Sequence, residues 1–129
     1  MNFDKTKTSA IIAEDCTEIN QHAFEYCSSL TSVTIPSSVK SIGEYAFMYC
    51  RELTTITIES GVTSIGTSAF YGCTMLNKVN ITDIAKWCEI NFENDMANPL
   101  YYVHNLYLNN ELITELIIPN GATRIGDYA

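Results

Sequence analysis

Lysine and arginine are scarce in this chain: seven stand against fifteen aspartates and glutamates, for a net charge of −8. Nucleic acids and anionic membranes both need clustered cations to neutralise phosphate, so neither is expected as a partner. Long apolar runs are missing as well. None approaches the roughly 20 residues that span a bilayer, which excludes insertion of a membrane helix. The stretch Met1 to Thr8 has no apolar core of a signal peptide. No GxGxxG, HExxH or GxSxG occurs, nor a phosphate-binding GxxxxGK. The five cysteines are odd in number and include no CxxC pair, unlike a disulfide framework or a zinc site. His22 and His104 have no fixed partner in the pattern. The carboxylates are densest at Asp83, Glu89, Glu93 and Asp95, a spread that fits a solvated helix face better than a cation site. These absences leave no catalytic group, cofactor or metal to assign.

What is present is a repeat. Phe24, Phe47 and Phe70 follow one another at a constant step of 23, and so do Cys27, Cys50 and Cys73. The same step joins Leu30, Leu53 and Leu76; Val33, Ile56 and Val79; Ile35, Ile58 and Ile81; and Ile19, Ile42 and Ile65. The unit reads LxxVxIPxxVxxIGxxAFxxC. A partial unit (1–29) precedes two full ones, 30–52 and 53–75. Pro119 is out of phase: it lies beyond Pro36 by three such steps and 14 more. One unit (76–112) is therefore enlarged by that surplus, and a truncated one (113–129) carries Ile113, Leu116, Ile118, Pro119, Ala122, Ile125 and Gly126. The signature breaks off at Ala129, where phenylalanine is due next, so the single domain 1–129 is expected to be a piece of a longer array.

Such a period predicts a leucine-rich-repeat-type solenoid of stacked 23-residue coils. Val33 and Ile35 alternate with Ser32 and Thr34, which is strand periodicity in β-branched residues. Pro36 closes that strand. A second extended piece follows over Val39–Ile42. Ala46, Phe47 and Cys50 have the spacing of a short helical turn. One coil cannot bury both of its faces, so strands of successive coils should pair in parallel. Cys27, Cys50 and Cys73 then form a buried column of small hydrophobes. Cys16 takes the place of Val39, and Cys88 that of Ile65, so all five thiols face inward. In the enlarged unit Asp83 caps a helix carrying Ile84, Trp87 and Cys88 on one face, with Phe92 closing it. Asn98-Pro99 signals a turn, and Leu106-Tyr107-Leu108 with Leu112-Ile113 reads as a hairpin about Asn109-Asn110. Trp87, Tyr101, Tyr102 and Tyr107 of this unit either pack locally or anchor an interface.

Only the exterior is then free to recognise anything. Ser32, Thr34, Thr55, Thr57, Lys78, Asn80, Glu115 and Ile117 line the outward face of the sheet, as a candidate binding face or as a hydroxyl ladder that merely solvates it. Tyr26, Tyr49 and Tyr71, with Tyr101 and Tyr102, make a second, aromatic candidate. Asn80-Ile81-Thr82 also fits a glycosylation acceptor. Unpaired strands at the coil ends invite end-to-end self-association.

Ile35, Pro36, Val39, Ile42, Gly43, Ala46, Phe47, Cys50 and Leu53 together resemble the signature of the BspA-like leucine-rich repeat family, over nearly the whole chain. The stretch with Trp87, Ile90, Phe92, Asn98-Pro99-Leu100 and Leu106-Tyr107-Leu108 looks like a longer module that interrupts such arrays. The resemblance implies a surface or secreted protein of host-associated microbes, typically anaerobic bacteria. It also implies adhesion to a protein or glycan on a host or neighbouring cell. The alternative is a spacer or stalk with no ligand of its own.

Overall fold

The computed structural model describes residues 5–103, 105–115, 120 and 125–126. Most of the truncated unit expected over 113–129, Ile117 included, lies outside these, as does His104.

The β-branched, alternating segments form the strands predicted. β1 (Ser9–Ile11), β3 (Ser32–Ile35), β5 (Thr55–Ile58) and β7 (Lys78–Ile81) pair in parallel. Val33 faces Ile56 and Ile56 faces Val79, each partner the equivalent residue of the next coil. A second parallel sheet of short strands runs beside it: β2 (Glu18–Ile19), β4 (Ser41–Ile42), β6 (Ser64–Ile65) and β8 (Asn91–Phe92). The inward residues of both sheets are buried, and Leu30, Ile35, Leu53, Ile56 and Ile65 have no exposed surface. Phe24, Phe47 and Phe70 lie over one another, with ring centroids 5.0 and 5.3 Å apart and planes within 5°.

The segment Glu44–Cys50 departs from expectation. It is a run of hydrogen-bonded turns, not a helical turn. The Gly43, Tyr45 and Phe47 carbonyls accept from the N–H groups of Ala46, Met48 and Cys50. Tyr45 and Tyr49 have positive φ, 56° and 58°, and each ends the helical path. The preceding coil repeats this at His22 and Tyr26, and the following one at Ser68 and Gly72. A left-handed residue other than glycine costs roughly 1–2 kcal/mol. Here His22 stacks on Tyr45 at 5.1 Å and Tyr26 on Tyr49 at 5.2 Å. Such pairs contribute about 0.5–1.5 kcal/mol, which offsets much of that strain. Alternate N–H groups of each turn donate to the next coil: Phe24 to the Ala46 carbonyl, Tyr26 to Met48, Phe47 to Ala69, Tyr49 to Tyr71.

The enlarged unit holds the helix predicted, α1 (Ile84–Cys88), with the Asp83 carboxylate accepting from the Lys86 N–H. Phe92 does not close that helix. It lies on β8 opposite Ile65. Phe92, and not Cys88, therefore takes the place of Ile65: the helix adds a turn of chain before the second sheet resumes. Asn98 caps a short 3-10 turn over Pro99–Tyr101. The hairpin forms as read, β9 (Leu106–Leu108) against β10 (Glu111–Leu112), antiparallel. β9 also pairs in parallel with β7, Val79 facing Leu106, so the hairpin extends the main sheet. Among the described residues no helix is long and apolar enough to cross a membrane.

Candidate functional site

The sequence offered two candidate surfaces and a column of thiols, and the fold treats each differently. Cys27, Cys50 and Cys73 are fully buried and all five cysteines are free thiols. Cys50 donates its S–H to the Phe24 carbonyl and Cys73 to the Phe47 carbonyl, both at 3.1 Å. A thiol has the bulk of a small hydrophobe and still gives each of these carbonyls a second donor beside a backbone N–H. Burial pushes the Cys27 thiol up to about 11. The neighbouring Cys73 thiol, and then burial, raise Cys50 as well. Cys88 is raised by burial and by the Glu89 carboxylate. Nucleophilic cysteines need the opposite shift. Cys16 corrects the expectation that every thiol faces inward: it is half-exposed, at the end of the stack, and donates to the Glu18 carbonyl.

On the outward face of the main sheet, Ser32 and Thr34 are exposed and Thr55 and Thr57 half-exposed. Ile11, overlooked as a surface residue, joins them at 97% exposure and faces Thr34. The far end of this face is not free. Asn80 is 4% exposed, and its Oδ1 accepts from the Asn110 N–H at 2.7 Å. Lys78 donates to Asn110 Oδ1 at 3.1 Å and lies 4.8 Å from the Tyr107 ring centroid. Two of the proposed contact residues therefore hold the hairpin turn. Burial of Asn80 also removes it as a surface acceptor for a glycan. Glu115 is exposed, beyond the hairpin. Just before each strand, the Thr31 and Thr54 hydroxyls donate to the Thr8 and Thr31 carbonyls of the preceding coil, and so stitch coil to coil.

The aromatic row is continuous. Tyr26 (53% exposed) stacks on Tyr49, and Tyr49 meets Tyr71 edge-on at 5.4 Å. One full repeat on from Tyr49 stands Gly72, not Tyr71. Gly72 has φ +80°, and a Cβ there would sit 2.3 Å from Tyr49 Cδ1. The aromatic side chain has moved one position back and turned edge-on in consequence. The Gly72 N–H then donates to Tyr102 Oη at 2.9 Å, where Tyr26 and Tyr49 donate to backbone carbonyls. Asn94 does the same service for Ser68, whose N–H donates to its Oδ1 at 3.0 Å. Side chains of the enlarged coil thus replace the backbone acceptors at Ser68 and Gly72, while the Phe70 N–H between them still donates to the Met96 carbonyl. Tyr101 packs edge-on against Tyr102 at 4.9 Å and is 48% exposed. Arg51 lies 5.2 Å from the Tyr49 ring centroid and Lys5 5.9 Å from that of Tyr26. Desolvation first, then the hydrogen bond with Tyr71, raise the Tyr49 hydroxyl, and desolvation raises Tyr102. Both keep their protons as donors at neutral pH.

The cavity against α1, lined by Ile58, Val62, Ile81 and Trp87, is about 10 Å³, and the one at the first coil, lined by Ile12, Cys16, Ile19 and Phe24, about 30 Å³. Small-molecule sites occupy roughly 300–1,000 Å³. Among the described residues, no three His, Cys, Asp or Glu side chains are grouped to hold a metal. The structure thus offers surfaces, and its geometry is that of coils in register. No curated protein and no solved structure matches the chain. A model of the BspA type leucine rich repeat region matches residues 2–129 in six copies, and the chain belongs to that family of generally non-catalytic repeats.

Proposed function

We propose that this chain is a binding module of a surface or secreted protein, which engages a protein or glycan on a host or neighbouring cell through the tyrosine row. The family, typically found on surfaces or secreted, supports the setting. The observation that carries the reading is the row itself: Tyr26, Tyr49 and Tyr71 in ring contact, continued by Tyr102 and Tyr101, on the exterior of the stacked coils. Aromatics held in this way lose little entropy on docking, and tyrosine is enriched where interfaces are anchored. The Ser/Thr face is the weaker candidate, because Lys78 and Asn80 are engaged by the hairpin. The coil-to-coil hydroxyl bonds of Thr31 and Thr54 favour the second reading, a spacer whose polar ladders serve only the fold. Ile11, 97% exposed on β1, supports self-association of the chain.

The test is binding of the whole chain to arrays of immobilised proteins and glycans. Tyr71→Ser with Tyr26→Asn, chosen because asparagine tolerates positive φ, should weaken saturable binding at least tenfold. Thr55→Ala with Thr57→Ala should change it little. Retention of affinity by the tyrosine variant, or absence of any saturable partner, would rule the reading out in favour of the spacer. Sedimentation of wild-type and Ile11→Lys chains tests self-association.

A further inference from the structure

We infer that the partner presented to the tyrosine row is an acidic, proline-rich segment in the polyproline II conformation. The inference rests on the reading that this row is the binding surface. Its first support is how the rings are used. Tyr26 and Tyr49 cover a face of each other, and Lys5 and Arg51 stand over the same two rings. Sugars bind aromatics by laying a pyranose on an open face; this row presents edges and hydroxyls instead. Edges and hydroxyls suit an extended peptide whose carbonyls are unpaired, and polyproline II has no internal hydrogen bonds. Tyr102 accepts from Gly72 and keeps its own O–H to donate.

The second support is spacing. Successive rings of the row stand 5.2 and 5.4 Å apart, so two steps are a little longer than one three-residue turn of polyproline II, about 9.3 Å. A segment running along the solenoid axis therefore repeats every second coil, so that equivalent residues meet Tyr26 and Tyr71. The third is charge. The chain is strongly acidic, yet two of its seven cations stand on this row. Among the described residues, the ion pairs are His22–Glu25 and Lys86–Glu89, and neither uses Lys5 or Arg51. Both cations are exposed.

Titration calorimetry of the intact chain with four probes decides the matter: a proline-rich peptide of four polyproline II turns bearing two glutamates, the same peptide with lysines in their place, a glycine–serine peptide with the two glutamates, and a β-linked hexasaccharide. The acidic proline-rich peptide should bind saturably, at least tenfold tighter than the other three. Tyr71→Phe, which keeps the ring and removes one hydroxyl, should weaken it about fivefold, the worth of one hydrogen bond of ~1 kcal/mol, and Arg51→Gln should remove most of its dependence on salt. Equal binding of the glycine–serine peptide, or none of any peptide, overturns the inference. If the hexasaccharide or an array protein binds instead and the Tyr26/Tyr71 variant loses it, the inference fails while the row survives as the binding surface. If that variant binds every probe as wild type does, both fail.

Discussion

The backbone N–H of Gly72 donates to the hydroxyl of Tyr102 at 2.9 Å, across more than one full coil of chain. One bond thereby closes the gap that opens where the enlarged coil leaves the regular path, and it brings Tyr102 and Tyr101 into line with the stacked tyrosines. Alanine in place of Gly72 meets two obstacles at once: a positive φ and a Cβ 2.3 Å from the Tyr49 ring. Gly72→Ala is expected to cost about 1–3 kcal/mol, with a matching loss of Tm in calorimetry and a change in near-ultraviolet dichroism as Tyr49 is displaced. An unchanged tyrosine signal would show that the row does not depend on this glycine.

The phenylalanine stack makes a sharper demand on stability. Phe47 is fully buried between Phe24 and Phe70. Phe47→Ala should destabilise by about 3–5 kcal/mol in urea unfolding. In a linear stack, each coil is held by its neighbours alone, so breaking the middle should also lower the m-value by splitting the transition. A single transition with unchanged slope would contradict it.

The thiol column predicts reactivity and pH dependence. Cys27 and Cys50 are raised in the folded state above the ordinary value of 9.0, Cys27 to about 11. Above pH 9 the unfolded chain releases these protons while the folded chain still holds them. The unfolded state then binds fewer protons, so stability falls as pH rises. The contribution is intact below pH 9 and is lost progressively above it. Chemical denaturation at pH 8 and pH 10.5 should show the drop, and Cys27→Ala with Cys50→Ala should flatten it. In a native thiol assay at pH 8, Cys16 should react first and the buried column only on unfolding.

Asn80 links the main sheet to the hairpin. Asn80→Ala takes from the Asn110 N–H its side-chain acceptor and should cost about 1–2 kcal/mol, felt locally. Limited proteolysis of the variant should then cleave near Asn109–Asn110 well before the coils unfold, whereas the parent resists. Equal cleavage rates would show that β9 is held without it.

Much of this fold is written in period and chemistry. Val33, Ile56 and Val79 recur in step, so their strands, their partners and their burial follow from counting. The capped helix at Asp83 and the hairpin about Asn109-Asn110 follow from local rules alone. Counting fails where the period changes within the enlarged coil. Cys88 and Phe92 are both apolar, so sequence could not say which replaces Ile65; only strand pairing decides, because the inward slot in the second sheet goes to whichever residue reaches Ser64–Ile65 in register. The spacing of Ala46, Phe47 and Cys50 suits a helix as well as it suits stacked turns, and the left-handed φ of Tyr45 and Tyr49 is supported by aromatic neighbours on the adjoining coils.

The constant step of apolar residues is enough to specify a stack of coils with an interior of aliphatic, phenylalanine and cysteine side chains, because such a repeat can be buried only by its own neighbours. Tertiary structure decided which exterior residues remain free. It drew Asn80 and Lys78 into the hairpin and aligned Tyr26, Tyr49, Tyr71, Tyr102 and Tyr101 across an irregular coil. Those outcomes depend on contacts between residues more than a coil apart and out of phase with the repeat, which no local pattern encodes.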